Sequence, residues 1–445
     1  MDAAQEDRIL AWNRAVPRYT SYPTVPVWRS EPFLWNEPLD HLGPRASVYV
    51  HIPFCKEQGA FCGCTMVVAG RQSAGDRYLD SLEKQIRALG GTREVERIHL
   101  GGGTPTWLSS EQITRLFSML DERFTRAPGA EVSVEIDPDV TTDEQLQVLA
   151  SHGVNRLSIG VQSIDPDVLG AIRRPQDPAR IAAILVRARE LGMSSINLDL
   201  VIGLPKQTLD NLAQTLAWAA ELRPERLAIY AYAHVPWLKR HQRQIDEATL
   251  PSARDRLRMS VWGREYLQVE GYQAVGMDHY ALPEDPLALA ARERTLHRNF
   301  MGYTTRADLD ILGLGMSAIS EMQGLYVQQP SHLFEWYQAV EGKRPPFERG
   351  WRLSLEDQIR KLAISELMCN FELQVETLVS AFGEPAREIF QRALEALLPY
   401  AEADLVTMSP SEIWVTEQGK WVLRPIVSVF DAYLNAQAGA FSKAV

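Results

Sequence analysis

Short apolar, β-branched runs alternate with amphipathic segments between residues 46 and 232. Such runs predict buried strands, and the amphipathic segments predict helices that cover a sheet. Six strands are predicted, at residues 46–52, 95–100, 131–136, 155–161, 195–201 and 226–232. Strands that alternate with helices predict a parallel α/β domain, either a closed or partly closed barrel or a doubly wound open sheet.

The clearest helical pattern covers residues 109–124, where Ile113, Leu116 and Leu120 recur at helical spacing. Ser109 followed by Gln112 predicts a capping box at the start of this helix.

The pattern changes after about residue 280. Strongly helical stretches follow at 355–370 and 375–398, after a segment rich in Ala, Leu and charge at 283–294. Short strand-like runs near the end predict a small winged element, at 405–408, 412–416 and 419–423. We therefore expect three parts: an N-terminal arm (1–40), an α/β barrel domain of the TIM type, partial and with six β/α units (41–285), and a mainly helical C-terminal domain with the winged β element (286–445).

Composition places the chain among folded globular proteins. It has 445 residues, of which 45% are hydrophobic and 23% are charged. Residues 1–15 lack the basic start and apolar core of a signal peptide, and no run of about 18 uncharged apolar residues predicts a membrane span. Four cysteines without even spacing favour a reducing compartment. We therefore expect a cytoplasmic protein without a membrane partner.

The net charge of −11 argues against general nucleic-acid binding, which depends on Lys and Arg that neutralise phosphates. A small anionic substrate would need a local basic site. Composition alone does not reveal such a site.

Three of the four cysteines lie within ten residues of each other, directly after the first predicted strand. Cys55, Cys62 and Cys64 have the spacing Cys-x6-Cys-x-Cys, which indicates a metal site. Gly59 stands where a cysteine would complete the spacing Cys-x3-Cys-x2-Cys. Cys369 lies in a predicted helix and is expected in the core.

Polar residues or glycines follow several predicted strands. The second strand ends in GGGTP at 101–105, and later strands end near Glu135, Asp137, Gln162 and Asp199. The carboxyl ends of parallel strands meet at one end of a barrel, so these residues are expected around one mouth. Missing side chains at the glycine turn are expected to expose backbone amides to a carboxylate. The set predicts a site for a polar ligand that carries an amine and a ribose.

The cysteine segment, GGGTP and the strand-end residues together resemble the radical S-adenosylmethionine (SAM) enzymes. Within that superfamily, the chain resembles the oxygen-independent coproporphyrinogen III oxidase (dehydrogenase) family of haem biosynthesis over nearly its full length. The segments that carry this resemblance are RYTSYPT (18–24), YVHIPFC (49–55), VEIDP (134–138), IGVQS (159–163), LDLVIGLPKQT (198–208), GMDHYALPED (276–285) and LHRNFMGYTT (296–305).

The resemblance implies a [4Fe-4S] cluster held by three cysteines. Cys55 and Cys62 match the first and third ligands, and Cys64 is the provisional replacement for the second. The resemblance also implies two bound SAM molecules and catalytic positions at Tyr49 and Glu135. The positions that match SAM contacts are Tyr49, Phe61, Gly102, Gly103, Thr104, Glu135, Gln162, Arg174, Asp199, Ala233 and Ile319.

The implied reaction is the oxidative decarboxylation of two propionates of coproporphyrinogen III to vinyl groups, which gives protoporphyrinogen IX. The cluster reduces SAM, and the resulting 5′-deoxyadenosyl radical removes a hydrogen from the β-carbon of a propionate. An external electron donor, an external electron acceptor and a monomeric enzyme are also implied. Candidate residues for the substrate's four propionates are Arg18, Arg298 and the pair Lys239 and Arg240.

Gly59 departs from the family pattern, and Ala60 stands where an aromatic residue is common. Three explanations remain open: Cys64 replaces the missing ligand, the protein has lost its cluster, or the sequence carries a change at this position. A porphyrin- or haem-binding protein without radical chemistry is the alternative function. A structural zinc site formed by His51 and the three cysteines is chemically allowed, but it leaves the strand-end residues unexplained.

Overall fold

The computed structural model describes residues 1–31, 43–89, 92–342, 345–437 and 441–443. The strands are β1 (Arg45–Ile52), β2 (Phe54–Cys55), β3 (Val67–Val68), β4 (Arg93–Gly102), β5 (Phe124–Ile136), β6 (Arg156–Gln162), β7 (Ser195–Ile202), β8 (Arg226–Ala231), β9 (Gln273–Val275), β10 (His279–Ala281), β11 (His297–Asn299), β12 (Gly302–Thr304), β13 (Asp310–Leu314), β14 (Ile319–Met322), β15 (Leu325–Gln328), β16 (Arg349–Arg352), β17 (Glu372–Gln374), β18 (Val406–Met408) and β19 (Glu412–Val415).

The helices are α1 (Ala3–Ala11), α2 (Ser73–Ala88), α3 (Ser110–Arg123), α4 (Asp143–Ser151), α5 (Pro166–Ala171), α6 (Pro178–Glu190), α7 (Leu209–Glu221), α8 (Ala253–Val269), α9 (Pro286–Glu293), α10 (Leu333–Glu341), α11 (Leu355–Asn370), α12 (Val375–Phe382), α13 (Glu384–Glu402) and α14 (Leu423–Val427). Within the described ranges, none of these helices has the length and apolarity needed to cross a membrane. The predicted capping box forms at the start of α3, where Ser109 and Gln112 bond to each other's backbone amides.

The main sheet has the strand order β16-β15-β14-β13-β1-β4-β5-β6-β7-β8-β10-β9. All neighbours from β13 to β8 are parallel, and the remaining strands add antiparallel edges. From β1 to β8 the parallel strands follow chain order without the reversal that defines a doubly wound sheet. The predicted partial barrel is therefore confirmed, and all six predicted strands form, although β5 begins earlier, at Phe124.

The main sheet continues into the segment that the sequence analysis assigned to the C-terminal domain. β13 pairs with β1, and β14, β15 and β16 extend the sheet to Arg352. These strands have only four or five residues each, so their hydrophobic pattern is too short to separate from a loop. By sheet membership, the barrel unit thus extends beyond residue 285.

The C-terminal region is mainly helical, as predicted. α11 has the predicted bounds, whereas the stretch predicted at 375–398 forms two helices that meet at Gly383, where φ is +74°. The prediction of a strand at 419–423 is wrong, because Gly419–Val422 is a 3-10 helix and β17 supplies the third strand of the small sheet instead. A side chain at Gly419 would clash with the Leu405 carbonyl, which explains the glycine at this close contact.

The N-terminal arm packs against the C-terminal helices. Ile9, Tyr19 and Tyr22 belong to the same apolar cluster as residues of α11, α13 and α14. Cys369 is buried, as predicted, at 3% exposure. The arm and the C-terminal region therefore form one layer beside the barrel.

A buried ion pair joins β8 to the start of α9. Arg226 Nε lies 2.7 Å from Asp285 Oδ2, and both side chains are 4% exposed. Asp285 also accepts a hydrogen bond from the amide of Leu287, so it caps α9. We expect Asp285→Ala to lower the free energy of unfolding by about 3–5 kcal/mol, because the Arg226 charge stays buried without its partner.

Urea denaturation followed by tryptophan fluorescence measures this loss as a lower midpoint. Glu284→Ala is the matched control, since Glu284 is the exposed acidic neighbour. Equal midpoints for the two variants would contradict the stabilising role of the buried pair.

Candidate active site

The cysteine loop (residues 55–64) lies at the carboxyl end of β1. The short parallel pair β2 and β3 closes it, and the buried Ala60 donates its amide to the Ile172 carbonyl at 2.8 Å. His241 Nε2 donates to the Cys62 carbonyl at 2.7 Å. These bonds fix the backbone of the loop against the barrel.

The glycine turn after β4 packs directly against this loop. The amides of Gly103 and Thr104 donate to the carbonyls of Ile52 (2.9 Å) and Phe54 (2.8 Å). A Cβ atom at Gly103 would lie 2.7 Å from the Pro53 carbonyl oxygen, so only glycine permits this approach. The expectation of ligand-ready amides at 102–104 is wrong, because the Gly102 amide is also engaged, by Glu135 at 3.1 Å.

The three thiols of the loop lie near one another. Cys55 Sγ is 3.3 Å from the Thr104 hydroxyl, and the Cys64 amide donates to Cys62 Sγ at 3.4 Å. Hydrogen bonds from Cys64 and the nearby charge of Arg174 lower the pKa of Cys62 to about 6 despite burial. Burial raises the pKa of Cys55 to about 11. Cys62 is thus the thiol closest to the ionised form that a metal ligand needs.

Gly59 has no side-chain atom that could bind a metal, and a side chain at this position would contact the Phe61 ring. Its φ is not positive, but a Cβ atom would lie 2.8 Å from Cε1 of Phe61. The Phe61 ring therefore occupies the space beside Gly59. In the described part of the chain, no three His, Cys, Asp or Glu side chains converge as a ready metal site. The donor type still fits an iron-sulfur cluster, since Cys64 brings a third thiol next to Cys62.

His51 is occupied by structural hydrogen bonds. Its Nε2 donates to the Thr65 carbonyl at 2.9 Å, and its Nδ1 accepts from the Tyr49 hydroxyl at 2.9 Å. Burial lowers the pKa of His51. With both ring nitrogens used, His51 does not support the zinc alternative.

Glu135 and Tyr49 lie together inside the barrel. His99 Nε2 donates to Glu135 at 3.2 Å, and its ring stacks against Tyr49 at 5.8 Å. Burial raises the pKa of Glu135, but the bonds from His99 and Gly102 outweigh it and lower the pKa. The Glu135 side chain is 43% exposed, so an ionised carboxylate faces the barrel interior.

Asp199 faces the same interior cavity, which has a volume of about 90 Å³. Its carboxylate accepts hydrogen bonds from Ser158 and from Asn197, both at 2.8 Å. Burial, followed by the charge of Glu135, raises the pKa of Asp199. The pKa values of the two acids are thus shifted in opposite directions, and both side chains line the same cavity.

The other predicted SAM contacts lie on several strands and loops of the barrel. Gln162 adopts a left-handed φ of +62°, and its buried Oε1 has no hydrogen-bond partner among the described residues. Arg174 pairs with Asp137 at 3.1 Å. The Ala233 carbonyl accepts from Gln242 at 3.2 Å, beside the cysteine loop. Ile319 begins β14 and packs its backbone on Gly313, the register partner of Tyr49.

A larger, basic cavity lies at the carboxyl end of β8. It has a volume of about 610 Å³, and its lining includes Arg18, Arg256, Arg424 and Lys443. Arg256 and Arg424 were missed by the sequence reasoning. Arg424 had a usable signal, since it is the one charged residue in the apolar run WVLRPIV at 421–427. Arg256 is one of many charged residues in α8 and had none.

Three of the predicted substrate contacts lie outside the lining of this cavity. Lys239 donates to the Cys64 carbonyl at 3.3 Å, so it supports the cysteine loop, and Arg240 is exposed. Arg298 lies close enough to Arg18 for the two charges to interact, and its guanidinium lies over the Tyr303 ring at 5.1 Å.

Comparison with known proteins agrees with this geometry. Residues 49–219 match the Radical SAM superfamily, and residues 353–422 match the HemN C-terminal domain. An oxygen-independent coproporphyrinogen III oxidase from Salmonella typhimurium is 43% identical over 437 residues, which cover 97% of this chain and 95% of that protein. This chain belongs to the oxygen-independent coproporphyrinogen III oxidase family.

More distant members of the coproporphyrinogen III oxidase family match over the whole chain. The Helicobacter pylori (strain J99) protein is 36% identical over 456 residues, which cover 100% of both chains. The solved structure of the coproporphyrinogen III oxidase HemN from Escherichia coli, a radical SAM enzyme, superimposes with a TM-score of 0.89. It is 40% identical and covers 95% of this chain and 100% of that one. The resemblance drawn from the sequence is thus confirmed, and membership of this family implies a [4Fe-4S] cluster and SAM.

Proposed function

We propose that this protein catalyses the oxidative decarboxylation of coproporphyrinogen III to protoporphyrinogen IX in haem biosynthesis. One observation carries the proposal: the cysteine loop, the acids Glu135 and Asp199, and an arginine-lined cavity all lie at the carboxyl end of one parallel sheet. That end is where barrels of this kind place their chemistry. Full-length identity of 43% to a coproporphyrinogen III oxidase supports the same activity.

Cys55, Cys62 and Cys64 would hold the cluster in this proposal. When bound, the cluster supplies the electron that cleaves SAM. The loop's backbone bonds to Ile172 and His241 hold the thiols at the mouth of the barrel. Arg174 adds a positive charge that favours the thiolate form of Cys62.

Glu135 and Asp199 would bind SAM. The ionised Glu135 suits the SAM ammonium group, and Asp199, whose pKa is raised, suits hydrogen bonds with ribose hydroxyls. Arg174, held by Asp137, suits the SAM carboxylate. We also propose a second SAM molecule. The remaining predicted contacts would bind it, among them Gln162, Ala233 and Ile319.

The protein would act as a cytoplasmic monomer with an external electron donor and acceptor. A porphyrin-binding protein without radical chemistry is the alternative, for which Gly59 is the sole argument. The close match of the whole chain to radical SAM oxidases does not favour that alternative.

Anaerobic reconstitution with iron and sulfide tests the proposed activity. We expect about four irons per chain, a reduced-cluster paramagnetic resonance signal, deoxyadenosine from SAM, and protoporphyrinogen IX from coproporphyrinogen III. Iron well below this level together with no deoxyadenosine would refute the enzymatic proposal.

A further inference from the structure

The basic cavity is lined by arginine side chains whose described hydrogen bonds go to backbone carbonyls. Three arginines, Arg18, Arg256 and Arg424, line it, and none of them forms an ion pair within 4.0 Å in the part of the chain that the structure describes. Asp278 is the acid beside these arginines; its charge acts on Arg18 and Arg424, but its carboxylate accepts its hydrogen bond from His279, at 2.8 Å. Partly buried cations without an ion-pair partner are costly, so their presence in a chain of net charge −11 indicates an anionic ligand.

Arg18 reaches the cavity from the N-terminal arm. One guanidinium nitrogen donates to the Ala231 carbonyl at 2.6 Å, at the carboxyl end of β8. This bond fixes the side chain but leaves its other guanidinium nitrogens without a described partner. Burial lowers the pKa of Arg18, and the nearby charge of Arg298 adds to that effect.

Arg256 reaches the cavity from α8, on the opposite side. Its aliphatic stem crosses Gly203, where a Cβ atom would lie 2.8 Å from Arg256 Cδ. Gly203 has a φ of +92°, so both the backbone and the crossing side chain require glycine. The Arg256 Nε is buried without a hydrogen-bond partner among the described residues. The Arg256 guanidinium therefore has a buried N–H group available to a ligand.

Arg424 holds the cavity wall together. This residue is 6% exposed, and its guanidinium donates to the carbonyls of Val16 and Lys443. Ala15 and Lys443 also form an isolated antiparallel bridge beside it. Arg424 thus joins two distant chain segments beside the cavity. Its two terminal guanidinium nitrogens already donate to carbonyls, so it adds positive charge but is poorly placed to bind a carboxylate directly.

We infer that the cavity binds the propionates of the tetrapyrrole, with Arg18 and Arg256 as the direct carboxylate contacts and Arg424 as the positioning residue. Its volume of about 610 Å³ is within the range of small-molecule sites. Tyr232 and Trp237 in the lining supply aromatic surface for the macrocycle. The inference rests on the proposed function for the identity of the ligand, whereas the binding of carboxylates follows from the cavity itself.

Equilibrium binding of coproporphyrin III, the stable oxidised form of the substrate, tests this inference without the cluster. Porphyrin fluorescence in dilute detergent reports binding to the purified full chain. We expect Arg18→Gln and Arg256→Gln each to weaken binding by about 10-fold or more, because each removes a charged hydrogen bond worth about 1.5–3 kcal/mol. Coproporphyrin III tetramethyl ester, which has the same macrocycle without carboxylates, should bind wild type and variants equally.

Arg392→Gln is the matched control, since Arg392 is 70% exposed on α13 and should leave both affinities unchanged. Arg18→Lys and Arg256→Lys retain the charge and should recover part of the affinity, which separates a lost contact from a lost fold. Wild-type affinity in both Gln variants, or equal losses for acid and ester, would overturn the inference. Weaker acid binding in the variants would support it even if the wild type failed to turn over, and that failure would count against the proposed function alone.

Discussion

Cys64→Ala is expected to abolish assembly of the iron-sulfur cluster and, with it, the formation of deoxyadenosine. Gly59 has no ligand atom, so Cys55 and Cys62 alone leave a cluster one thiolate short. Cys64 places its amide 3.4 Å from the Cys62 sulfur and is exposed, so its thiol can turn toward a cluster at the mouth of the barrel. Iron and sulfide content after anaerobic reconstitution measures the loss.

The double variant Gly59→Cys with Cys64→Ala sharpens this prediction. It should regain iron, because a cysteine at 59 restores the family spacing, although the Phe61 ring must move from its position 2.8 Å from the new Cβ. Cys369→Ala is the control, since Cys369 is a buried core residue and should leave the iron content unchanged. If Cys64→Ala kept the wild-type iron content, Cys64 would not be a ligand. If iron were bound only by variants that carry Gly59→Cys, and not by the wild type, the natural chain would have lost its cluster.

The location of the site was predictable because parallel strands end at a common edge. Glu135, Gln162 and Asp199 come from three consecutive parallel strands; Glu135 and Asp199 line one cavity, and Gln162 ends its strand. Strand order follows from the regular alternation of strand and helix, which fixes both direction and neighbours.

The bonds within the site were not predictable in the same way. The missing side chains of the glycine turn at 101–105 predicted exposed amides, but Glu135 engages the amide of Gly102, and the carbonyls of Ile52 and Phe54 engage those of Gly103 and Thr104. These bonds depend on the three-dimensional course of two loops, and no periodic pattern encodes them. The role of Gly203 was hidden for the same reason, because Arg256 crosses it from a helix about fifty residues later.

The short strands β13 to β16 show a second limit. Four or five residues cannot display a hydrophobic period, so their membership of the main sheet depends on β1 offering an unpaired edge. This extension also places Ile319 next to the register partner of Tyr49. Ile319 was assigned to the site by resemblance alone, and its local sequence did not indicate that it lies beside Gly313.

Glu135→Gln is expected to weaken SAM binding on the order of 30-fold, since loss of the partner to a desolvated charge costs about 2 kcal/mol or more. The hydrogen bonds from His99 and Gly102 lower the pKa of Glu135, so the wild-type side chain carries its full charge at neutral pH. Glutamine keeps the size of the side chain and removes only that charge. Equilibrium dialysis of SAM with the reconstituted protein measures the change.

Glu122→Gln is the matched control, because Glu122 is exposed and lies in the last turn of the helix that leads into the strand of Glu135. The iron content of Glu135→Gln should equal that of the wild type, because the hydrogen bonds of the carboxylate come from His99 and the Gly102 amide. A loss of SAM affinity with full iron content would show that Glu135 binds SAM and does not act through the cluster. Unchanged SAM affinity would remove Glu135 from the binding site and leave Asp199 as the interior acid available to SAM.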